Sequence, residues 1–420
     1  MQEGLKKRNF LNYSILVPYL ILALFGLVMV FSTTVPMQTA IQQPPYKLVQ
    51  TQAIFLAFSL FTMWLIYRVK LAAFKSSRVL AFFMPIEIIL LVVARFAPAI
   101  NGAHGWIRVG ALGTIQPAEF LKLFVVWYLA SIFSKRQKVI RETDIDGIFE
   151  TKHKFENFYT GWRLPIFIML ALVVIMPDIG NAVIVILVIL TLISCSGISY
   201  RWAAGYSRVA AVLIGAFFAL MFATQGNVPL VPHYITERFK AFLNPFAGLL
   251  SYGTQMANSY FAISNGGWFG RGLGNSIEKK GYLTFASTDF IFPVVVEEIG
   301  IIGAFLILGV LFFMILRIML VGIRARDPFN AMIAIGVGAM LLVQTSINVG
   351  GAIGVIPETG VTFPFLSQGG SSLLVLSIAV AFVLNVSADE KRRELLALTA
   401  GHKRSDFVAV NTVHGQLSNN

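Results

Sequence analysis

Residues Tyr282 to Gly300 read YLTFASTDFIFPVVVEEIG, and the fold follows from how this stretch is read. One carboxylate, Asp289, stands at the last polar step before an apolar run of membrane-spanning length. An ionised side chain facing hydrocarbon costs on the order of 3 kcal/mol near a helix centre, so an acid kept at such an edge lines a wet cavity or a reaction site. Asp289 could instead cap the helix starting at Phe290. Thr288 is available for that, however, and Glu297 and Glu298 follow two turns further into the same run. Capping does not account for three acids, which makes Asp289 the leading candidate for chemistry. At 3.6 residues per turn Glu297 lies nearer the Asp289 face, and one of the two glutamates is read as a structural hydrogen-bond partner.

The rest of the chain has the same character. Its 420 residues are 57% hydrophobic and 13% charged, with mean hydropathy +0.76, a membrane composition. Roughly ten segments reach the length of about 20 apolar residues that a crossing needs. They begin near Ser14, Gln50, Val79, Pro117, Arg163, Gly180, Trp202, Phe290, Ala331 and Leu366. Alternate loops carry the basic residues, from Lys6, Lys7 and Arg8 to Lys391, Arg392 and Arg393, which places both termini in the cytoplasm. The expected fold is an all-α membrane protein of about ten helices, with one multi-spanning domain over residues 1–387. A polar cytoplasmic tail, 388–420, is expected to be helix-like at first and then disordered.

Composition also removes function classes. The net charge of +13 is dispersed among loops rather than gathered on one face, which speaks against nucleic acid as a partner. The lone Cys195 excludes a disulfide framework within the chain and argues against a cysteine-ligated zinc site. Met1 to Arg8 precedes an apolar run too long for a signal peptide and without a small-residue cleavage site, so the first helix is expected to stay.

The charge pattern puts the remaining candidates on the outer side. The largest outer loop, 224–289 between the seventh and eighth helices, interleaves aromatic residues with Arg238, Lys240 and Arg271, a pattern suited to short interfacial helices. Its cations Arg238, Arg271, Lys279 and Lys280 could snorkel to lipid head groups or clamp a diphosphate. The glycines from Gly266 to Gly274 lack the preceding strand of a dinucleotide site and suit tight turns and close backbone approach, phosphate being one option. Gln116 precedes a helix with Pro117 at its first position. Glu119 and Lys122 then share one face, either as an ion pair pinning two helices or as a polar wall of a substrate cavity. Asn101, Gly102, His104, Trp106 and Arg108 offer an aromatic platform beside a cation, with no role assigned to His104. Pro357 to Phe365 and then Ser367 to Ser372, Ser371 included, mark a broken re-entry that needs protein or water around it and reads as a cavity wall.

These segments together resemble the SEDS family (shape, elongation, division and sporulation). The carriers are NGAHGWIRVG at Asn101, QPAEFLKL at Gln116, MPDIGNA at Met176, ERFKAFLNP at Glu237, GGWFGRGLGNS at Gly266, STDFIF with EEIG, and PETGVTFPFLSQGGSS at Pro357. The resemblance implies a ten-helix peptidoglycan glycosyltransferase polymerising lipid II on the outer face of the bacterial plasma membrane. The family's essential aspartate falls on Asp289, and its Glu and Lys of the fourth helix fall on Glu119 and Lys122. A class B penicillin-binding protein transpeptidase and other division membrane proteins are the implied partners. The wording around GLGNS is closer to division members than to the elongation paralogue. Thr284, Phe285 and Ser287 depart from the usual Pro, Glu and His, and Gln368 replaces a usual Tyr.

On this reading Asp289 acts as general base toward a sugar hydroxyl, and partial burial is expected to raise its pKa. Lys122 or the loop cations Arg238, Arg271, Lys279 and Lys280 would meet the diphosphate, while Trp106 and Arg108 are counted among the substrate-binding residues. A divalent cation could assist them. A transporter that flips the same lipid precursor is the alternative from another class.

Overall fold

A computed structural model describes residues 10–98, 105–110, 113–149, 161–227, 233–248 and 253–417. In chain order the helices are α1 (Tyr13–Ala40), α2 (Lys47–Arg68), α3 (Leu71–Phe74), α4 (Ser77–Phe96), α5 (Pro117–Thr143), α6 (Ile145–Phe149) and α7 (Arg163–Ile175). They continue as α8 (Ile179–Ser194), α9 (Tyr200–Ala223), α10 (His233–Leu243), α11 (Thr254–Gly266), α12 (Ile291–Arg324), α13 (Pro328–Ala352) and α14 (Gly370–Leu417). Two short antiparallel strands, β1 (Ile107–Arg108) and β2 (Thr114–Ile115), form a hairpin ahead of α5. The chain is an all-α membrane protein.

Eight of the described helices are long and apolar enough to cross a membrane, while α7 and α8 are shorter, at 13 and 16 residues. At 1.5 Å rise those two reach only about 20–24 Å, less than the ~30 Å hydrocarbon core. All ten expected starts fall within four residues of one of these helices. Past the apolar part, α14 continues as helix to Leu417.

Local chemistry sets the helix starts. Asp178 accepts from the Asn181 N–H at the head of α8, and Asp327 accepts from the Phe329 and Asn330 N–H groups at the head of α13, where Pro328 takes the first helical position. The buried centre is α5, α13 and the apolar part of α14, whereas α9 is almost wholly exposed. At one end of the bundle Asp327 pairs with Lys75 and Arg393, and Glu390 accepts from the Arg326 N–H. These are the loops that the charge pattern assigns to the cytoplasm. The opposite end gathers the heads of α5, α12 and α14 with the tail of α13.

Interrupted backbone shapes that second end. Gly300 breaks α12 with φ +75° and ψ 171°, and the segment after α11 packs into the break. The Arg271 and Gly272 N–H groups donate to the Glu297 and Glu298 carbonyls, each at 2.9 Å, and the Ile301 N–H donates to the Gly267 carbonyl at 2.9 Å. A Cβ on Gly300 would collide with the Trp268 carbonyl, and one on Gly270 with the Glu298 carbonyl. The glycine-rich segment therefore serves close approach to the chain's own broken helix, where phosphate had been one option.

Candidate active site

Asp289 stands two residues before α12, and its backbone is tethered from two directions. The Asn348 amide on α13 donates to the Asp289 carbonyl at 2.8 Å and to the Val361 carbonyl at 2.7 Å. From the segment between α13 and α14, the Ser367 hydroxyl donates to the Thr288 carbonyl at 2.6 Å and accepts from the Phe363 N–H at 2.8 Å. The Gln368 N–H donates to the Ser287 carbonyl at 2.8 Å, so two of the positions that depart from the family wording meet through backbone atoms. Irregular backbone at this depth stays satisfied by these bonds.

Asp289, Asn348, Glu358 and Gly360 line one cleft. Gly360 has φ +75°, and a Cβ there would lie 3.3 Å from Arg238 Nη2 and 3.7 Å from Asp289 Oδ2. Glycine therefore leaves the space that a guanidinium from α10 and the carboxylate both face. Burial pushes the Asp289 carboxyl up to about 7, Glu358 adds to the rise, Arg238 opposes it, and Asp178 adds to it again. Glu358 is likewise pushed up by burial, against the pull of Arg238. Both side chains keep a partly open edge, so the acids are desolvated without being sealed.

Behind the cleft lies the pair on α5. Lys122 is fully buried, with Nζ 2.9 Å from Glu119 Oε2 and off its hydrogen-bonding direction, and it donates to Gln344 Oε1 at 2.8 Å. Gln344 Nε2 passes the connection to the Thr362 carbonyl at 3.0 Å, and the Thr362 and Ser372 hydroxyls bond at 3.0 Å. Gln344 and Asn348 are four residues apart and share one face of α13. One turn is held by Lys122, and the next holds Asp289. Of the two sequence readings, the geometry matches the pinning ion pair, since neither Glu119 nor Lys122 is open to the cleft. Gln116 adds a further tie: its side chain donates to Asp178 Oδ2 at 2.7 Å, and its N–H donates to Ser371 Oγ at 3.4 Å.

Other expected site residues sit elsewhere. Lys279 donates at 2.7 Å to both Glu298 Oε1 and Ser32 Oγ and is buried, which overturns its reading as a substrate cation. Glu297 accepts from the Ile277 N–H at 2.9 Å and from the Ser276 hydroxyl, so both glutamates are structural where one was expected. Arg271 and Lys280 are exposed, as is Arg108 on the hairpin, with Trp106 partly buried beside it. Among the described residues none of these four is bonded to Asp289 or Glu358. Asn101, Gly102 and His104 lie outside the described residues. Gln344, Asn348 and Asp178 went unassigned in the sequence, and Glu358 was read only as part of the cavity-wall segment. The available signals were an acid within a re-entrant apolar segment and amides inside an otherwise apolar helix. Among the described residues no group of three His, Cys, Asp or Glu could hold a metal ion.

Residues 13–392 match the FTSW_RODA_SPOVE cell cycle protein family. The chain is 54% identical over 414 residues to the probable peptidoglycan glycosyltransferase FtsW of Lactococcus lactis subsp. lactis (strain IL1403), covering 96% of this chain and 98% of the relative. It is 33% identical over 408 residues to the corresponding Bacillus subtilis (strain 168) protein, covering 92% and 94%. Among solved structures, a chain from a peptidoglycan synthase complex that coordinates polymerization and crosslinking superposes with TM-score 0.66 at 22% identity, covering 90% of this chain and 98% of that one. The rod shape determining protein RodA of Thermus thermophilus superposes with TM-score 0.59 at 22% identity, covering 90% and 97%. At such identities the structural likeness speaks for the fold.

Proposed function

The chain belongs to the FtsW, RodA and SpoVE family of cell cycle proteins, and on that premise we propose that it is a peptidoglycan glycosyltransferase serving cell division. It polymerises lipid II at the outer face of the plasma membrane, at the septum. It works beside a class B penicillin-binding protein that crosslinks the strands and with other division membrane proteins. The observation that carries the mechanism is the half-open Asp289 carboxylate facing Arg238 across Gly360, at the end of the bundle away from the Asp327 cluster.

In the reaction, an acceptor sugar hydroxyl attacks the anomeric carbon of the lipid-linked donor. A new glycosidic C–O bond forms while the bond to the diphosphate breaks, its electron pair leaving on the diphosphate oxygen. The hydroxyl proton passes to the Asp289 carboxylate, a base whose pKa near 7 matches the working pH. Arg238 faces the charge that develops on the leaving diphosphate. Lys122, through Gln344, supports the wall that carries Glu358 and Gly360. The test is strand formation by purified protein and its crosslinking partner from lipid II in detergent. Asp289→Asn should abolish it, a loss of at least 100-fold for a removed general base. Equal polymer from the variant refutes the base, and translocation in vesicles without polymer favours the lipid transporter.

A further inference from the structure

Glu358 is an acid the mechanism so far does not use. It sits two residues before Gly360 and lines the same cleft as Asp289. Its position is held from behind: a Cβ on Gly351 of α13 would lie 3.5 Å from the Glu358 Cα, and Asn348 grips the Val361 carbonyl at 2.7 Å. The segment carrying Glu358 is thus fastened to the helix that also fastens Asp289.

The surrounding charges come from every element packed on the cleft. Arg238 on α10 faces both acids, and Asp178 at the head of α8 is the third carboxylate. Asp178 is occupied by the Gln116 amide at 2.7 Å and the Asn181 amide at 2.9 Å. Glu119 and Lys122 pair with each other behind the wall, and His233 and Glu237 pair on the exposed side of α10. Asp289 and Glu358 are therefore left to share one guanidinium. Burial lifts the Asp289 carboxyl first, but a neighbouring arginine ordinarily drives an aspartate down by about 1–3 pKa units, which weakens it as a base at neutral pH.

We propose that Glu358 is a positioning residue for the transfer, its like charge across the cleft making Asp289 a stronger base than Arg238 alone would allow. This rests on Asp289 being the base. The hydroxyl proton still ends on Asp289, and Glu358 touches no reacting atom. Glu358 acts through field, and the partial burial of both acids weakens the screening of that field.

The test reads the rate of strand formation against pH for wild type, Glu358→Gln and Glu358→Asp, each with the crosslinking partner and lipid II. The wild-type acid limb is expected near pH 7, where Asp289 gains its proton. Glu358→Gln removes the like charge, so its limb should move to lower pH by about one unit. Glu358→Asp keeps the charge and should leave the limb in place. A limb unmoved in Glu358→Gln, with activity lost equally at all pH, marks a merely structural residue and overturns the proposal. Should Glu358→Gln not purify as a monodisperse protein, Glu358→Thr is the second uncharged variant, judged by the same shift. The parent reading fails separately: if Asp289→Asn polymerises like wild type, the base is wrong whatever Glu358 does.

Discussion

Replacing Lys279 by Met separates a structural cation from a substrate-binding one. Its ammonium is 2.7 Å from Glu298 Oε1, and the two side chains are 1% and 0% exposed. Glu298 also accepts from the Ser32 hydroxyl at 2.6 Å and from the Gly274 N–H at 3.0 Å, so its carboxylate joins α1, α12 and the glycine-rich segment. Lys279→Met leaves that charge buried without a counter-ion, which costs roughly 3–5 kcal/mol. For a chain of 420 residues, losses of that size lower a thermal midpoint by roughly 3–6 °C. Adding Glu298→Gln removes the orphaned charge and keeps a bond to Ser32 at the expense of the one to Gly274. The double variant should therefore recover to within about 1–2 kcal/mol of wild type. Thermal unfolding of the purified protein in detergent, followed by size-exclusion fluorescence, reads all three variants. If Lys279 instead gripped the substrate diphosphate, Lys279→Met would unfold like wild type and raise KM for the donor, with no rescue by Glu298→Gln. That result would refute the structural assignment.

Two further perturbations probe the ends of the bundle. Gly360→Ala places a methyl group at φ +75° and 3.3 Å from Arg238 Nη2, so it should cut strand formation by at least tenfold while costing only about 1–2 kcal/mol of stability; wild-type rates would show that the space is not needed. Asp327→Ala removes the α13 cap and the pairs to Lys75 and Arg393, an expected loss of about 2 kcal/mol at pH 7 with no movement of the acid limb. Burial alone would raise the Asp327 pKa, but Lys75, Arg393 and the Asn330 N–H outweigh it, and the net shift is downward. Its contribution is therefore complete above the unfolded value of about 4 and lost as pH falls through the folded one, so wild type and variant should converge on acidification.

Much of this protein could be read from one dimension. Hydropathy located every apolar helix because each must bury its own backbone bonds in hydrocarbon, and that requirement is local to a run of residues. Loop charge grouped the segments by end, and Asp289 was conspicuous because an acid at an apolar edge has few structural excuses. Family membership was carried by motifs contiguous in the chain.

Only the folded chain decided which charges meet. Lys279 and Arg238 look alike in sequence, as cations on one loop. Packing buries Lys279 against Glu298, whereas Arg238 reaches across from α10 to the acids. Glu358 became legible only when Asn348 and Gly351 were seen to hold its segment against α13. The physical reason is that hydropathy acts on neighbours along the chain, while electrostatic partnership depends on a few ångströms between residues many positions apart. Those distances are set by helix packing and backbone breaks that no short window of residues contains.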